Sequence, residues 1–335
     1  MIAEPLFRIH RLVEQSTRRM LSLPSEAALK IFNIDFVEKT ILLPRDQQLV
    51  QEHANSLPQL DPEGARIVAG LEQQGIYSTT LDALDLPNTQ QFLTAAHSVS
   101  TELAQMAKST RYTRYKGMHT LTGTAQQLLD HPEIFWWGTA ERLLNIAERY
   151  FHLPVAYDGL SFYHSVANGK DGGPCKGHRD KEDWKMVKVV VYLHDVDENG
   201  GPYEQVKSEA NRGLVDTTQP KYKTFTHLEL QRVLRTDSSD WFRSCTGKAG
   251  TVLFVDTAQY YHRGKPLIAS DRSAVFFSYF SRIPKNPFYC GRSPLLRQQL
   301  AALAQPLPAY VQRCITWREQ MQSVVRYIPK NRVKV

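Results

Sequence analysis

The sequence lacks the features that mark several large classes of protein. It has no apolar run close to the roughly 18 to 20 residues that span a bilayer, and its longest apolar stretches are short ones such as residues 189–193. Its first residues do not join a charged leader to an apolar stretch, so we expect no secretory signal and a cytoplasmic protein. Disordered and low-complexity classes are excluded, because 42% of the 335 residues are hydrophobic.

Cysteine is scarce and scattered. The chain has four cysteines, and no two of them form a C-x-x-C pair: Cys175, Cys245, Cys290 and Cys314. This spacing argues against a zinc site and against a disulfide framework. We therefore expect four buried, reduced thiols.

The charge balance is mildly basic, with 41 Lys and Arg against 34 Asp and Glu. Part of the excess lies in the terminal stretch of Lys330, Arg332 and Lys334. No stretch interleaves basic and aromatic residues as a nucleic-acid surface does. We expect a small-molecule partner instead of a nucleic acid or a membrane. The sequence leaves the oligomeric state open.

The first half of the chain is predicted to be mainly helical. Residues 1–62 read as a helical extension without a chemical motif. Apolar spacing then predicts a helix at 63–74 and a strand at 76–81. Two longer helices are predicted at 89–108 and 125–151.

Beyond residue 152 the pattern changes to strands rich in Val, Tyr and Phe, at 156–166, 186–196, 250–255 and 272–281. Strands that follow one another without a full-length helix between them predict an antiparallel barrel or sandwich. We therefore predict a mainly β core with flanking helices. Its segments are the core at 63–286, an insertion at about 203–246, and C-terminal helices with a basic tail at 287–335.

One motif stands out between two of the predicted strands. His178-Arg179-Asp180 has the H-x-(D/E) spacing, which places two metal-binding side chains on one face of a strand. About one such pattern is expected by chance from 11 His and 34 acidic residues, and the chain has three. The pairs beginning at His131 and His227 lie in predicted helical context, where positions i and i+2 diverge. His178 and Asp180 alone follow a glycine-rich approach between strand-like runs.

A third metal-binding side chain, His262, follows a predicted strand far along the chain. Two histidines and one carboxylate are the ligand set of non-haem Fe(II) sites with open positions for substrate and oxygen. Arg272 begins the next predicted strand, ten residues later. Its guanidinium suits a bidentate contact with the carboxylate of a cosubstrate.

These features together resemble the phytanoyl-CoA dioxygenase family of Fe(II)- and 2-oxoglutarate-dependent oxygenases. The similarity covers roughly residues 63–282, from Gly-Ile-Tyr-Ser-Thr-Thr-Leu through His-x-Asp and the Asn-Gly-Gly-Pro turn to the closing His262 and Arg272. The resemblance implies a double-stranded β-helix, also called a jelly-roll or cupin-like fold. It also implies Fe(II) held by His178, Asp180 and His262, with Arg272 on the distal carboxylate of 2-oxoglutarate and O2 as the oxidant.

The remaining candidate residues are less specific. Because they lie on neighbouring predicted strands, further contacts to 2-oxoglutarate are predicted for Tyr163, Lys188 and Tyr192. Candidate substrate contacts are Trp184, Tyr260, Tyr261, Arg111 and Arg114. The chain departs from the family after the Asn-Gly-Gly-Pro turn and carries a long insertion, so the resemblance leaves the substrate undefined.

We therefore expect a hydroxylase that oxidises a small organic molecule, in natural-product or lipid-related biosynthesis, with release of succinate and CO2. Asp180 argues against the related halogenases, which have Gly or Ala at this position. A protein kinase is excluded, because position 185 is Lys and the Gly-rich loop and Asp-Phe-Gly are absent. A catalytically inactive binding protein and an oxygenase for carrier-tethered or macromolecular substrates stay as alternatives.

Overall fold

The computed structural model describes residues 23–109, 120–169, 175–218, 221–235 and 240–321. Helices dominate the first part of the chain and return at its end. Their bounds are Asp35–Val37, Glu38–Leu42 (a π-helix), Leu43–His53, Pro62–Gln74, Leu81–Leu84, Thr89–Lys108, Ala125–Asp130, Pro132–Trp137, Glu141–Phe151, Ser208–Thr217, His227–Leu234, Arg297–Ala304 and Ala309–Ile315.

The strands of the described residues form two antiparallel sheets. They are β1 Ile76–Thr80, β2 Thr120–Thr122, β3 Val155–Ser165, β4 Val187–Tyr192, β5 Tyr203–Val206, β6 Phe242–Cys245, β7 Thr251–Asp256, β8 His262–Gly264 and β9 Arg272–Ser281. The larger sheet has the order β1-β7-β4-β9-β3-β2, and the smaller has the order β6-β5-β8. Every pairing is antiparallel, so the predicted mainly β core with flanking helices is confirmed.

The helix predicted at 125–151 is wrong as a single element. The structure divides it into three helices, ending at Asp130, Trp137 and Phe151. Pro132 explains the first break, because proline has no N–H to donate to the preceding turn. His131 before it leaves helical geometry, with φ −128° and ψ 62°. The other long helix runs from Thr89 to Lys108 as predicted.

The helix Pro62–Gln74 shows how local sequence sets an element's ends. Asp61 caps its start by accepting a hydrogen bond from the Gly64 N–H at 2.9 Å. Gly75 ends it with φ of 68°, in the left-handed region that favours glycine. A side chain at Gly75 would also meet the ring of Tyr260, since a Cβ there would lie 2.1 Å from it.

The two faces of the larger sheet have different neighbours. One face packs against the helices in the main apolar cluster, where the ring of Trp137 lies 4.6 Å from that of Phe92 and 5.1 Å from that of Phe277. The other face looks toward the smaller sheet. Side chains at alternate positions of β3 and β9 line a cavity there: Ser161, Tyr163, Ser165, Arg272, Phe276 and Ser278. This alternation is the period of two that strands impose.

The cysteines and the described helices bear on two further expectations from the sequence. All four cysteine side chains are buried, as the sequence predicts. None of the described helices combines the length and the apolar character that a membrane crossing needs.

Candidate functional site

Two histidines from distant parts of the chain face each other across an antiparallel backbone bridge. His178 N–H donates to the carbonyl of His262 at 3.0 Å, and His262 N–H donates to the carbonyl of His178 at 2.9 Å. His262 begins β8, whereas His178 lies outside the named strands. The bridge therefore fixes the spacing of the two imidazoles through the main chain.

Both imidazole rings are oriented by the same kind of contact. Nδ1 of His178 lies 2.8 Å from the carbonyl of Lys176, and Nδ1 of His262 lies 3.1 Å from the carbonyl of Tyr260. A carbonyl only accepts, so each Nδ1 carries the proton and each Nε2 keeps its lone pair. Burial lowers the pKa of both histidines, and the nearby positive charge of Lys188 lowers both pKa values further. Both rings are therefore neutral ligands at neutral pH.

Asp180 completes the group. Its N–H donates to the carbonyl of Thr257 at 2.7 Å, which ties the carboxylate to the turn after β7. Burial alone would raise the pKa of Asp180, but the positive charges of Arg292 and Lys188 hold that pKa well below its usual value. Lys188 Nζ lies 2.5 Å from Asp180 Oδ2, and Arg292 Nη2 contacts Oδ1. The carboxylate is therefore ionised.

The three side chains fit a divalent transition metal. One ligand atom from each of His178, Asp180 and His262 lies within 4.8 Å of the others. His262 Nε2 is 4.0 Å from Asp180 Oδ2, and the two imidazole centroids are 4.4 Å apart. Two neutral imidazoles and one carboxylate on one side of a centre leave coordination positions for other ligands. The backbone carbonyls that orient the rings are the partners that metal-bound histidines usually have.

Arg272 is buried beside this group. It begins β9, and its Nη1 contacts the carbonyl of Gly201. A Cβ at Gly264 would lie 3.5 Å from Arg272 Nη2, so the guanidinium lies next to β8. No described acidic side chain forms an ion pair with Arg272. A buried guanidinium without a carboxylate partner is costly, and an anion from outside the chain would offset that cost.

The metal-binding group and Arg272 line one cavity between the two sheets, with a volume of about 460 Å³. Its lining is mixed, with hydroxyls, aromatic rings and basic groups. The lining residues beyond those of β3 and β9 are Thr120, His178, Arg179, Asp180, Lys181, Lys188, Tyr203, Tyr222, Thr224, Thr257, His262, Arg263, Gly264, Tyr289 and Arg292.

The structure places the predicted cosubstrate contacts in two different environments. Tyr163 and Lys188 line the cavity. Tyr192 does not belong to the described lining, because its hydroxyl lies between two main-chain groups. It donates to the Cys245 carbonyl at 2.9 Å and accepts from the Tyr203 N–H at 2.9 Å. Burial raises the pKa of Tyr192 to about 12.

The predicted substrate contacts are not brought together at the cavity. Trp184, Tyr260 and Tyr261 are absent from its described lining. The ring of Trp184 lies under Lys285 Nζ at 4.2 Å, that of Tyr260 packs on Gly75, and that of Tyr261 lies in a buried cluster with the insertion. Arg111 and Arg114 lie outside the described residues.

Sequence reasoning missed Arg292, whose guanidinium contacts Asp180. Arg292 bridges two carboxylates, since its Nε donates to Glu182 Oε1 at 2.6 Å while Nη2 contacts Asp180. Glu182 is fully buried, and Arg292 reaches it from the loop after β9. The nearby H-x-D motif was the only signal, and nothing in it points to residue 292.

A second missed residue supports the turn that holds Asp180. Asp256 ends β7 and is fully buried. It accepts from the Tyr150 hydroxyl at 2.7 Å and from the N–H groups of Ala258 and Gln259 at 2.9 and 3.0 Å. These bonds shape the turn whose Thr257 carbonyl accepts from Asp180.

Comparison with known proteins gives structural neighbours only. No protein-family model matches this sequence, and no curated protein matches it significantly. HygX from Streptomyces hygroscopicus, solved with nickel and 2-oxoglutarate bound, is 14% identical, with a TM-score of 0.43 over 67% of this chain and 88% of its own. The epimerase SnoN, solved with Fe3+, alpha-ketoglutarate and nogalamycin RO, is 16% identical, with a TM-score of 0.45 over 66% and 85%.

EctD from S. alaskensis, in its apoform, is 13% identical, with a TM-score of 0.46 over 72% of this chain and 88% of its own. Because these TM-scores are below 0.5 and the identities are low, the functional conclusion rests on the site itself.

Proposed function

We propose that this protein is a non-haem Fe(II)- and 2-oxoglutarate-dependent oxygenase that hydroxylates a small organic molecule. One observation carries the proposal. A group of two neutral histidines and one ionised carboxylate shares a cavity with a buried arginine that has no acidic partner among the described residues. The two histidines and the carboxylate fit Fe(II), and the buried arginine fits the free carboxylate of a cosubstrate.

The distance along β8 supports 2-oxoglutarate as that cosubstrate. Arg272 lies beside Gly264, which is two residues from the ligand His262. Two residues of strand span roughly 7 Å at about 3.3 Å each. A five-carbon dicarboxylate with one end at the metal ligands can therefore reach the guanidinium with the other.

The chain's own groups then have defined tasks. His178 and His262 present their Nε2 atoms, and Asp180 presents a carboxylate that Arg292 keeps ionised and oriented. Arg272 binds the distal carboxylate in a fork, and the hydroxyls of Thr120 and Ser165 lie on the same end of the sheet. The two sheets around the cavity exclude bulk water from the reacting atoms.

The bound metal and cosubstrate supply the oxidising chemistry, in which O2 is consumed and 2-oxoglutarate is converted to succinate and CO2 as the substrate is oxidised. The ordered motifs resemble the phytanoyl-CoA dioxygenase type, and we propose a double-stranded β-helix of this type for the two sheets. Asp180 favours hydroxylation over halogenation.

We propose that residues 63–286 form the oxygenase core and that the insertion at about 203–246 covers the cavity. Phe225 of the insertion forms an antiparallel bridge with Gly177, the residue before His178. Leu230 packs on the same glycine, since a Cβ there would lie 2.6 Å from Leu230 Cδ1. The insertion is thus attached directly to the metal-binding segment, which suits an element that selects the substrate.

The test is turnover of 2-oxoglutarate without added substrate. The purified protein is incubated with Fe(II), ascorbate and 2-oxoglutarate in air, and succinate is measured. We expect slow succinate formation in the wild type and a loss of at least a hundredfold in His178→Ala. The matched control is His131→Ala, which changes the histidine of another H-x-E pair outside the cavity. Equal succinate formation in wild type and His178→Ala would remove the proposal.

A further inference from the structure

The cavity carries far more positive than negative charge. Six basic side chains of the described residues line it, against the single carboxylate of Asp180. They are Arg179, Lys181, Lys188, Arg263, Arg272 and Arg292. Lys188, Arg263 and Arg272 are buried, whereas Arg179, Lys181 and Arg292 are partly buried. Because charges that lose water are stabilised by partners, the partners of all six are considered in turn.

Three of the six have carboxylate partners within the chain. Arg292 contacts Asp180 and Glu182. Lys188 contacts Asp180, and Arg263 Nε lies 2.7 Å from Glu204 Oε2. Their charges are thus balanced by the protein itself.

Arg179, Lys181 and Arg272 form no ion pair with a described acidic side chain. In the proposed function, Arg272 binds 2-oxoglutarate, whose other end faces the metal ligands. Arg179 and Lys181 stay unpaired, and they flank the metal ligand Asp180 on either side in the sequence. Two cavity cations are therefore left over once the cosubstrate is bound.

Arg179 and Arg272 lie against different segments of the cavity wall. Nη1 of Arg179 donates to the carbonyl of Ala258 at 3.4 Å, in the turn before His262. Arg272 lies beside Gly264, on the other side of His262 in the chain. The carbonyl of Lys181 accepts from Asn286 Nδ2 at 2.6 Å, in the loop after β9, whereas Arg272 begins β9. Arg179 and Lys181 therefore contact other parts of the cavity wall than Arg272 does.

Aromatic rings hold both side chains in place. The guanidinium carbon of Arg179 lies 5.2 Å from the ring centroid of Tyr222 and 5.4 Å from that of Tyr261. Lys181 Nζ lies 5.4 Å from the ring of Tyr289. Besides these ring contacts Arg179 makes one long hydrogen bond within the described residues, from Nη1 to the Ala258 carbonyl at 3.4 Å, which leaves other N–H groups for a planar anion. Arg179 Nε is buried and makes no hydrogen bond within the described residues.

The insertion contributes directly to this region. Tyr222 and Thr224 line the cavity from the insertion. Tyr222 adopts φ of 67°, which is uncommon for a bulky residue and is maintained only where surrounding contacts fix it. Lys221 before it is anchored by Asp35 and Glu38 of the N-terminal segment, at 2.9 and 3.1 Å. The ring against Arg179 is therefore positioned from two sides.

We propose that the substrate carries a carboxylate or phosphate group, and that Arg179 and Lys181 bind this anion beside Tyr222, Thr224 and Tyr289. The inference rests on the proposed function, because it assigns the charges that 2-oxoglutarate leaves unpaired. The apolar side chains of the cavity, such as Phe276, would then face the carbon skeleton that is oxidised. Carboxylate and phosphate share the chemistry that a guanidinium and an ammonium recognise, so both are tested.

The test uses the full-length protein with Fe(II) and saturating 2-oxoglutarate, kept anaerobic so that no turnover occurs. Phenyl phosphate, benzoate and the neutral benzyl alcohol are added separately as probes. Binding is measured by ligand-observed NMR, which detects millimolar affinities. We expect one or both anions to bind and benzyl alcohol not to bind. Arg179→Gln and Lys181→Gln should each weaken anion binding at least tenfold.

The control variants are Arg313→Gln and Lys248→Gln, which remove exposed basic side chains away from the cavity. Both should bind the probes as the wild type does. The visible absorption band of the Fe(II) and 2-oxoglutarate chelate is recorded in every sample. That band should persist in Arg179→Gln and Lys181→Gln, which shows that these variants are folded and loaded.

The outcomes separate this inference from the proposed function. Preference for phenyl phosphate or for benzoate, lost in both variants, supports the inference and identifies the anion. An intact chelate band with no anion bound, or with binding equal in wild type and variants, overturns the inference alone. Displacement of 2-oxoglutarate by the probe would also overturn it, because the anion would then occupy Arg272. Absence of the band in the wild type counts against the proposed function, whereas anion binding that depends on Arg179 would still support this site.

Discussion

Arg292 contacts Asp180 and Glu182 at once, and joins the metal-binding motif to a loop 112 residues further along the chain. Glu182 is fully buried and Asp180 nearly so. Arg292 and Lys188 together balance the charges of these two buried carboxylates, and Arg292 orients the one that faces the histidines. Arg292 also lines the cavity that holds the two histidines.

Replacement of Arg292 should damage both stability and metal binding. In Arg292→Met, Glu182 loses its charged partner, and breaking a buried ion pair in this way costs about 3–5 kcal/mol. A lost partner of a metal ligand usually lowers metal affinity about 10–100-fold. Urea denaturation and Fe(II) titration measure the two effects. The exposed Arg313→Met is the matched control, and an Arg292→Met protein as stable as that control would contradict the assigned role.

The hydroxyl of Tyr150 should contribute more to the free energy of unfolding than a tyrosine hydroxyl that donates to a neutral acceptor. Its hydroxyl donates to the carboxylate of Asp256 at 2.7 Å, whereas Tyr157 donates to the main-chain carbonyl of Phe135 at 3.2 Å. Hydrogen bonds to charged groups contribute about 1.5–3 kcal/mol and neutral ones about 0.5–1.5 kcal/mol. Tyr150→Phe should therefore lower the free energy of unfolding more than Tyr157→Phe. Denaturant titration of both variants provides the comparison, and equal losses would refute it.

Asp183 gives the protein a specific pH dependence. It is buried, and burial raises its pKa to about 7 although Ser281, Lys285 and Trp184 donate hydrogen bonds to it. The unfolded chain loses this proton near the usual pKa of Asp, about 4. Between these values the folded state holds a proton that the unfolded state has released. The free energy of unfolding should therefore fall as pH rises from about 4 to about 7, by up to about 1.4 kcal/mol per pH unit.

The measurement is urea denaturation of wild type and Asp183→Asn at several pH values across this range. We expect the variant to differ from the wild type in absolute stability, because the side-chain NH2 group of Asn would face the Ser281 N–H and two donors cannot form a hydrogen bond. The comparison is therefore between slopes. If the free energy of unfolding of the wild type changes with pH in parallel with that of the variant, Asp183 has an ordinary pKa and the prediction is wrong.

Metal binding should stabilise the folded protein through the bridge between His178 and His262. A ligand that binds only the folded state at about 100 times its dissociation constant adds about 2.7 kcal/mol. We expect Ni(II) to raise the melting temperature of the wild type and EDTA to reverse the rise. His262→Ala should show no rise, while His131→Ala should behave as the wild type. An equal rise in His262→Ala would place the metal elsewhere.

The three candidate metal-binding residues could be found in the sequence because their signal is local, and the structure brings them together. His178 and Asp180 share a two-residue spacing, and His262 and Arg272 each adjoin a strand of recognisable composition. His178 lies between the predicted strands, and in the structure it forms an isolated bridge with His262. Without strict alternation, Arg179 lines the same cavity as its two neighbours.

The supporting residues could not be predicted, because each depends on a contact between distant segments. Arg292 meets Asp180 only after the loop beyond β9 folds back under it. Tyr222 reaches Arg179 only because the insertion pairs with Gly177. Conversely, Trp184 adjoins the motif in sequence, yet its ring packs under Lys285. Proximity in sequence was thus a poor guide to the walls of the cavity.

The central claim is that Fe(II) and 2-oxoglutarate bind together between the His178 group and Arg272. The most direct measurement is anaerobic titration of the protein with Fe(II) and 2-oxoglutarate, followed by the weak visible charge-transfer band of the chelate. We predict a band in the wild type, and at least a hundredfold more 2-oxoglutarate to reach half its intensity in Arg272→Ala. Absence of the band in a wild type shown by elemental analysis to contain iron, or equal titrations of the two proteins, would contradict the account.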